Sequence, residues 1–204
     1  LELYERLAIR DIQDAADVLR SVYEKSRRRD GYVSLEVSPY LAHDTQGTIK
    51  EAHRLANRVR RENVMIKVPA TPEGIPAIEQ LISDGISINV TLLFALDAYE
   101  QVTRAYLSGL AKAAAKGLDL SKIASVASFF VSRIDSALDA AIATRLKAFP
   151  KAGETALLES VQGKVAIANA KLTYQRYREI FHGEAWQALA HKGAQTQRVL
   201  WANT

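Results

Sequence analysis

Short, almost purely apolar runs recur along this chain, and each is followed by a longer segment with helical spacing. Val64-Met65-Ile66-Lys67-Val68 is one such run, and residues 86–91 and 123–130 are others. Strands covered on both faces read as continuous apolar runs, whereas half-exposed strands alternate. Strand–helix alternation then calls for a parallel sheet joined by right-handed crossovers. Two α/β architectures meet that demand, a (β/α)8 barrel and an open doubly wound sheet.

The local signals place the elements. Residues up to about 29 read as a helix, with Ile12, Ala15, Ala16, Leu19, Val22 and Tyr23 at helical spacing. Asp30-Gly31 stops it, and residues 32–37 read as a strand ended by Ser38-Pro39. Asp44 or Thr45 can cap a helix over residues 46–61. Residues 64–68 form the second strand, closed by Pro69, and Thr71-Pro72-Glu73 opens a helix that runs to 84–85. A strand at 86–91, a helix at 95–116 and a strand at 123–130 follow. Helical patterns cover 132–148, 154–181 and 184–191, and residues 197–202 read as a fifth strand. Gly153 and its neighbours read as a helix–helix loop. No repeat or linker divides residues 1–204, which are expected to form a single domain.

Composition narrows the chemistry. With no cysteine among 204 residues, disulfides, thiolate nucleophiles and cysteine-ligated metals are excluded from this chain. The four histidines, His43, His53, His182 and His191, lack metal-ligand spacing, so neither a metal nor another cofactor is expected. No apolar run reaches the ~20 residues that span a bilayer, and no signal peptide is expected from the N-terminal residues. A cytoplasmic setting without membrane association is the expectation. The net charge is +4 and the pI about 9.3. Its densest clusters, Arg27-Arg28-Arg29 and Arg58-Val59-Arg60-Arg61, fall where helices end, and cations there complement the helix dipole. No aromatic platform interleaves with them, so they read as solvated helix ends rather than a nucleic-acid surface.

Polar residues recur near the C-terminal ends of the apolar strands. They are Glu36, Lys67, Asn89 with Thr91, Ser128 with Arg133 just beyond, and Asn203-Thr204. In barrels those strand ends build the active site. Lys67, hemmed by Ile66 and Val68, is the most informative. Desolvation favours the neutral amine, a nucleophile toward carbonyl carbon. Snorkelling to solvent or pairing with a carboxylate is the competing role. Glu36 suits either that pairing or general acid/base work. Thr91 and Ser128 can cap helices or bond backbone as readily as touch a ligand. Arg133, at the start of a helix, suits a phosphate or a surface salt bridge. Of Phe129 and Phe130, one is expected in the core and the other at a pocket wall, because strand neighbours face opposite ways.

At these residues the chain resembles the transaldolases. The matching stretches are Gly31-Tyr32-Val33-Ser34-Leu35-Glu36-Val37-Ser38-Pro39, Met65-Ile66-Lys67-Val68-Pro69-Ala70-Thr71, Ile88-Asn89-Val90-Thr91-Leu92-Leu93-Phe94 and Ser128-Phe129-Phe130-Val131-Ser132-Arg133-Ile134-Asp135. The likeness continues through Ala166-Ile167-Ala168-Asn169-Ala170-Lys171 to Gln197-Arg198-Val199-Leu200-Trp201-Ala202. It is strongest to the subgroup that includes transaldolases fused to glucose-6-phosphate isomerase. The resemblance implies a class I aldolase-like TIM-type barrel that moves a dihydroxyacetone unit between sugar phosphates. Sedoheptulose 7-phosphate and glyceraldehyde 3-phosphate would give erythrose 4-phosphate and fructose 6-phosphate, a step of the pentose phosphate pathway. It implies Lys67 as the Schiff-base lysine, with Glu36 and Thr91 handling protons through a water. It implies Asn89 and Ser128 on the dihydroxyacetone hydroxyls, Phe130 at the pocket wall and Arg133 on phosphate. Asn203 stands where related sequences carry serine in a Trp-Ala-Ser-Thr stretch, and either side chain can hydrogen-bond a phosphate or hydroxyl.

The likeness covers only part of that barrel. Some five strands are legible, whereas the barrel has eight. Two family strands before Glu36, the first carrying an aspartate that assists carbon–carbon cleavage, have no counterpart here, nor has the last strand. The expectation is an excerpt of a longer polypeptide or a barrel completed by another chain, with a fused isomerase domain and an oligomer both left open. The alternatives are a fructose-6-phosphate aldolase-like enzyme, against which the insertion at 154–181 argues, and a non-catalytic fragment that binds sugar phosphates.

Overall fold

The computed structural model describes residues 2–148, 151 and 153–203. Five strands form one sheet: β1 (Val33–Glu36), β2 (Val64–Pro69), β3 (Ile88–Leu93), β4 (Ser125–Phe130) and β5 (Arg198–Ala202). All neighbours are parallel, and their spatial order β1-β2-β3-β4-β5 is their order in sequence. A doubly wound sheet reverses its strand order partway across. This sheet does not, so of the two expected architectures it has the connectivity of a barrel segment.

Helix α1 (Glu2–Lys25) precedes β1. The crossovers carry α2 (Thr45–Val59), α3 (Gly74–Ser83) and α4 (Leu96–Ala115). Between β4 and β5 lie α5 (Ser132–Lys147), α6 (Glu154–Val161), α7 (Val165–His182) and α8 (Glu184–Ala190). Among the described residues no helix is long and apolar enough to cross a membrane.

The two faces of the sheet differ. Ile66, Val68, Ile88, Val90, Ala127 and Phe129 point to the helices and join Leu81, Tyr99, Val102, Tyr106 and Leu110 in the main core. On the other face the apolar residues Met65 and Val126 pack with Ala124 and Tyr32 near the N-terminal ends of the strands. Farther along, that face carries Lys67, Asn89 and Ser128. The strand ends therefore do alternate, and the continuous apolar reading holds only for the half nearer the N-terminal ends. Helices α3 and α4 approach closely at Gly109, where a Cβ would lie 2.7 Å from the Glu79 carbonyl oxygen and 2.8 Å from Ile82.

Several boundaries move for local reasons. Asp44, of the two residues able to cap α2, does so by accepting from the Gly47 amide (2.9 Å). Thr71 accepts from the Gly74 amide (3.0 Å), so its capping role is as expected although the regular helix begins later. The single helix expected over 154–181 is two, broken at 162–164, where Gly163 has φ +67°. A register shift between Val90 and Leu93 carries β3 past its expected end, with Leu92 at φ +60°. Arg58 and Arg61 are not simply solvated. Arg58 pairs with Glu5, and Arg61 with Asp17 at 2.6 Å, tying α2 to α1.

Candidate active site

Sheet register sets the geometry. Glu36 and Lys67 are partners across β1 and β2, and Lys67 and Asn89 across β2 and β3. The Lys67 ammonium donates to Glu36 Oε2 at 3.1 Å. In this part of the sheet the Lys67 side chain is 29% exposed and that of Glu36 46%. The reason is the facing: Ile66 and Val68 go to the helices, and Lys67 goes to the opposite side of the sheet.

Beside this pair runs a buried polar chain. Ser128 Oγ donates to Asn89 Oδ1 at 2.7 Å, and Asn89 Nδ2 donates to Ser34 Oγ at 3.0 Å. Three adjacent or near-adjacent strands are thereby joined by side chains on the Lys67 face. Asn89 and Ser128 are both buried. A buried amide must find partners for both ends, so the two serines orient it uniquely. Sequence reading missed Ser34. Its signal was period two, because Ser34 lies two residues before Glu36 and so shares its face.

Thr91 sits two residues beyond Asn89 and is only 1% exposed. Its hydroxyl has no protein hydrogen-bond partner. Neither a helix-capping nor a backbone-bonding role accounts for it, and a buried hydroxyl left that way is costly unless something else bonds it.

Phe130, at the end of β4, is buried, and so is Phe129 on the helix side. The Arg133 guanidinium lies 4.5 Å from the centre of the Phe130 ring. Phe94 stacks on Phe130, at 5.3 Å between centroids and 23° between planes. Asn169 of α7 donates to the Phe94 carbonyl at 2.8 Å. A cleft of about 630 Å³ between α5 and α7 opens here, lined by Phe94, Arg133, Ile134, Ala168, Asn169 and Leu172. Phe94 and Asn169 were not singled out by sequence, because each acts across a long sequence separation.

Asn203 is exposed just beyond β5, and the Ala202 carbonyl before it accepts from the Val131 amide at 3.0 Å. Among the described residues no hydrogen bond or ion pair joins the Asn203 side chain to the other candidates, and Thr204 lies outside the described residues. Among the described residues, no three His, Asp or Glu side chains gather as a metal site.

A lysine beside a carboxylate, a fixed amide, a buried hydroxyl and an arginine braced on an aromatic ring are thus gathered around the C-terminal half of the sheet. Residues 1–203 match the family model described as Transaldolase/Fructose-6-phosphate aldolase. The chain is 52% identical over all its 204 residues to a protein named "Transaldolase" from Trichodesmium erythraeum, covering 54% of that relative. It is 53% identical over its whole length to "Transaldolase 2" of Nostoc sp., covering 54% of it. It is 53% identical over 203 residues to "Transaldolase 1" of Streptomyces avermitilis, covering 52%. The chain thus spans about half the length of the curated relatives it matches.

Proposed function

The chain belongs to the transaldolase/fructose-6-phosphate aldolase family, and from that premise we propose that it carries the Schiff-base centre of a transaldolase. The donor would be a ketose phosphate and the acceptor an aldose phosphate, with dihydroxyacetone as the transferred unit. The observation that carries this reading is the Lys67–Glu36 contact at 3.1 Å, on the face of the sheet that also holds Asn89, Ser128 and Thr91.

Lys67 is the nucleophile. Glu36 is close enough to take its proton, freeing the amine to attack the ketone carbon. Glu36 returns that proton to the hydroxyl of the carbinolamine, whose loss as water gives a protonated imine that draws electrons from the adjacent carbon–carbon bond. A base must remove the hydroxyl proton of the leaving aldose as that bond breaks. Glu36 supplies it through a water placed by Thr91, whose hydroxyl is otherwise unpartnered. The enamine left on Lys67 then adds to the acceptor aldehyde, and the steps run in reverse.

Asn89 and Ser128 hold the dihydroxyacetone hydroxyls, with Ser34 fixing the amide. Phe130 forms the wall, and Arg133, held over its ring, takes the phosphate. Asn203 would join them at the end of β5. Residues 1–204 are then one part of a single barrel domain whose remaining strands pair with β1 and β5, the two edges of the sheet. A sugar-phosphate substrate implies a cytoplasmic setting.

Borohydride trapping with fructose 6-phosphate tests the proposal. A dihydroxyacetone adduct on Lys67 supports it, and an equal adduct in Lys67→Ala overturns it. The family description also covers simple aldolases, which release free dihydroxyacetone. Adding erythrose 4-phosphate separates the two, since only transfer yields sedoheptulose 7-phosphate.

A further inference from the structure

A second cavity lies at the opposite end of the sheet. Glu36, Thr91 and Phe130 are at or near the C-terminal ends of their strands, whereas Arg198 is the first residue of β5. Arg198 lines a cavity of about 390 Å³ together with Arg27, Arg29, Ser121, Gln195 and Thr196. Three arginines from two separate parts of the chain thus border one space, and no acidic residue lines it. None of the three takes part in an ion pair among the described residues. Glu24 and Glu62 line the adjoining cavity, but both pair with Arg20.

The backbone here is held in a costly shape. Helix α1 closes with the Arg28 amide donating to the Tyr23 carbonyl at 2.8 Å and the Arg27 amide to the Glu24 carbonyl at 3.0 Å. That closure puts Arg27 at φ +53° and Arg28 at φ +64°. Glycine adopts such a conformation freely and usually fills this position after a helix, whereas a side chain there is strained. Packing does not explain Arg27, because it is exposed. Strain held by a residue without packing duties points to a use for the side chain itself.

We propose that this cavity is a binding site for a phosphate-bearing small molecule, distinct from the Lys67 site. Guanidinium groups bind phosphate oxygens through paired N–H donors, and Ser121, Gln195 and Thr196 add polar groups at the rim. The volume suits a group the size of pyrophosphate or a small sugar phosphate. Sheet register runs Lys67–Asn89–Val126–Arg198, so three strand spacings, about 14 Å along the sheet, set Arg198 apart from Lys67.

Pyrophosphate is the probe, titrated calorimetrically into the intact protein, with thermal unfolding in parallel. The expected result is saturable binding and a rise in the unfolding midpoint. Arg27→Gly should weaken binding at least tenfold and abolish the rise, while leaving the midpoint without pyrophosphate equal or higher. Arg198→Gln should weaken binding equally, and Arg133→Gln should leave it unchanged. Absence of binding in the wild type, as when an acidic segment of the same polypeptide fills the cavity, overturns the proposal. So does binding that Arg133→Gln removes and Arg27→Gly does not.

Discussion

Lys67 and Glu36 stand side by side on neighbouring parallel strands, with Nζ and Oε2 3.1 Å apart. Partners in a parallel register point to the same face, so no loop is needed to bring the two side chains together. Both side chains keep some exposure, so the contact contributes little to stability, at most about 1 kcal/mol. Its value is positional.

Lys67→Ala should therefore abolish transfer while leaving the fold intact. The expected loss in kcat exceeds about 1,000-fold, because the covalent route disappears. The unfolding midpoint should move little. Substantial transfer by Lys67→Ala, measured by product formation from fructose 6-phosphate and erythrose 4-phosphate, would remove Lys67 from the mechanism.

Glu36→Gln keeps the shape and removes the base. A drop in kcat of about 100- to 10,000-fold is expected, with KM changing far less. An unchanged kcat would leave Glu36 as a mere counter-ion for Lys67.

Ser128→Ala takes away the donor to Asn89 Oδ1, a buried acceptor. Leaving it unsatisfied should cost about 1–3 kcal/mol, read as a lower urea midpoint at constant slope. Substrate affinity should fall with it, since the amide loses its fixed orientation.

Gly109→Ala tests the packing that supports the sheet. The added Cβ meets the Glu79 carbonyl oxygen at 2.7 Å, and backbone cannot swing aside as a side-chain tip can. Forcing α3 and α4 apart should cost about 1–3 kcal/mol, measured by denaturant unfolding.

Acid should loosen α1 from α2. The Arg54 guanidinium, and then Arg58, hold the Glu5 carboxyl below its ordinary value of 4.5. A depressed carboxylate stabilises fully above its unfolded-state pKa and loses that contribution as pH falls through the lower folded value. Stability should thus decline below about pH 4.5, and Glu5→Gln should flatten that part of the profile. An identical profile in the variant would show that this cluster adds nothing.

The strands were legible because apolar runs and helical spacing are local properties, whereas their order in the sheet was decided by the fold. The set Glu36, Lys67, Asn89, Thr91 and Ser128 was legible too, since a polar residue in an apolar strand is conspicuous on its own. The break at 162–164 was not legible, because helical spacing runs on across Gly163 while the backbone turns there. Nor was the exposure of Lys67, which depends on which face the helices cover. Phe94 and Asn169 meet across 75 positions, and no short-range pattern announces such a contact.

By itself, then, the sequence determined the residue types at the strand ends, the alternation of strand and helix, and the family likeness. Only the tertiary structure decided that Ser34 and Ser128 hold Asn89 between them, that Thr91 is left without a partner, and that Arg27 and Arg29 face the same cavity as Arg198. Strand periodicity says which residues share a face. Register between strands, and the paths of the loops, say which of those residues touch, and both are set by packing between segments far apart in the chain.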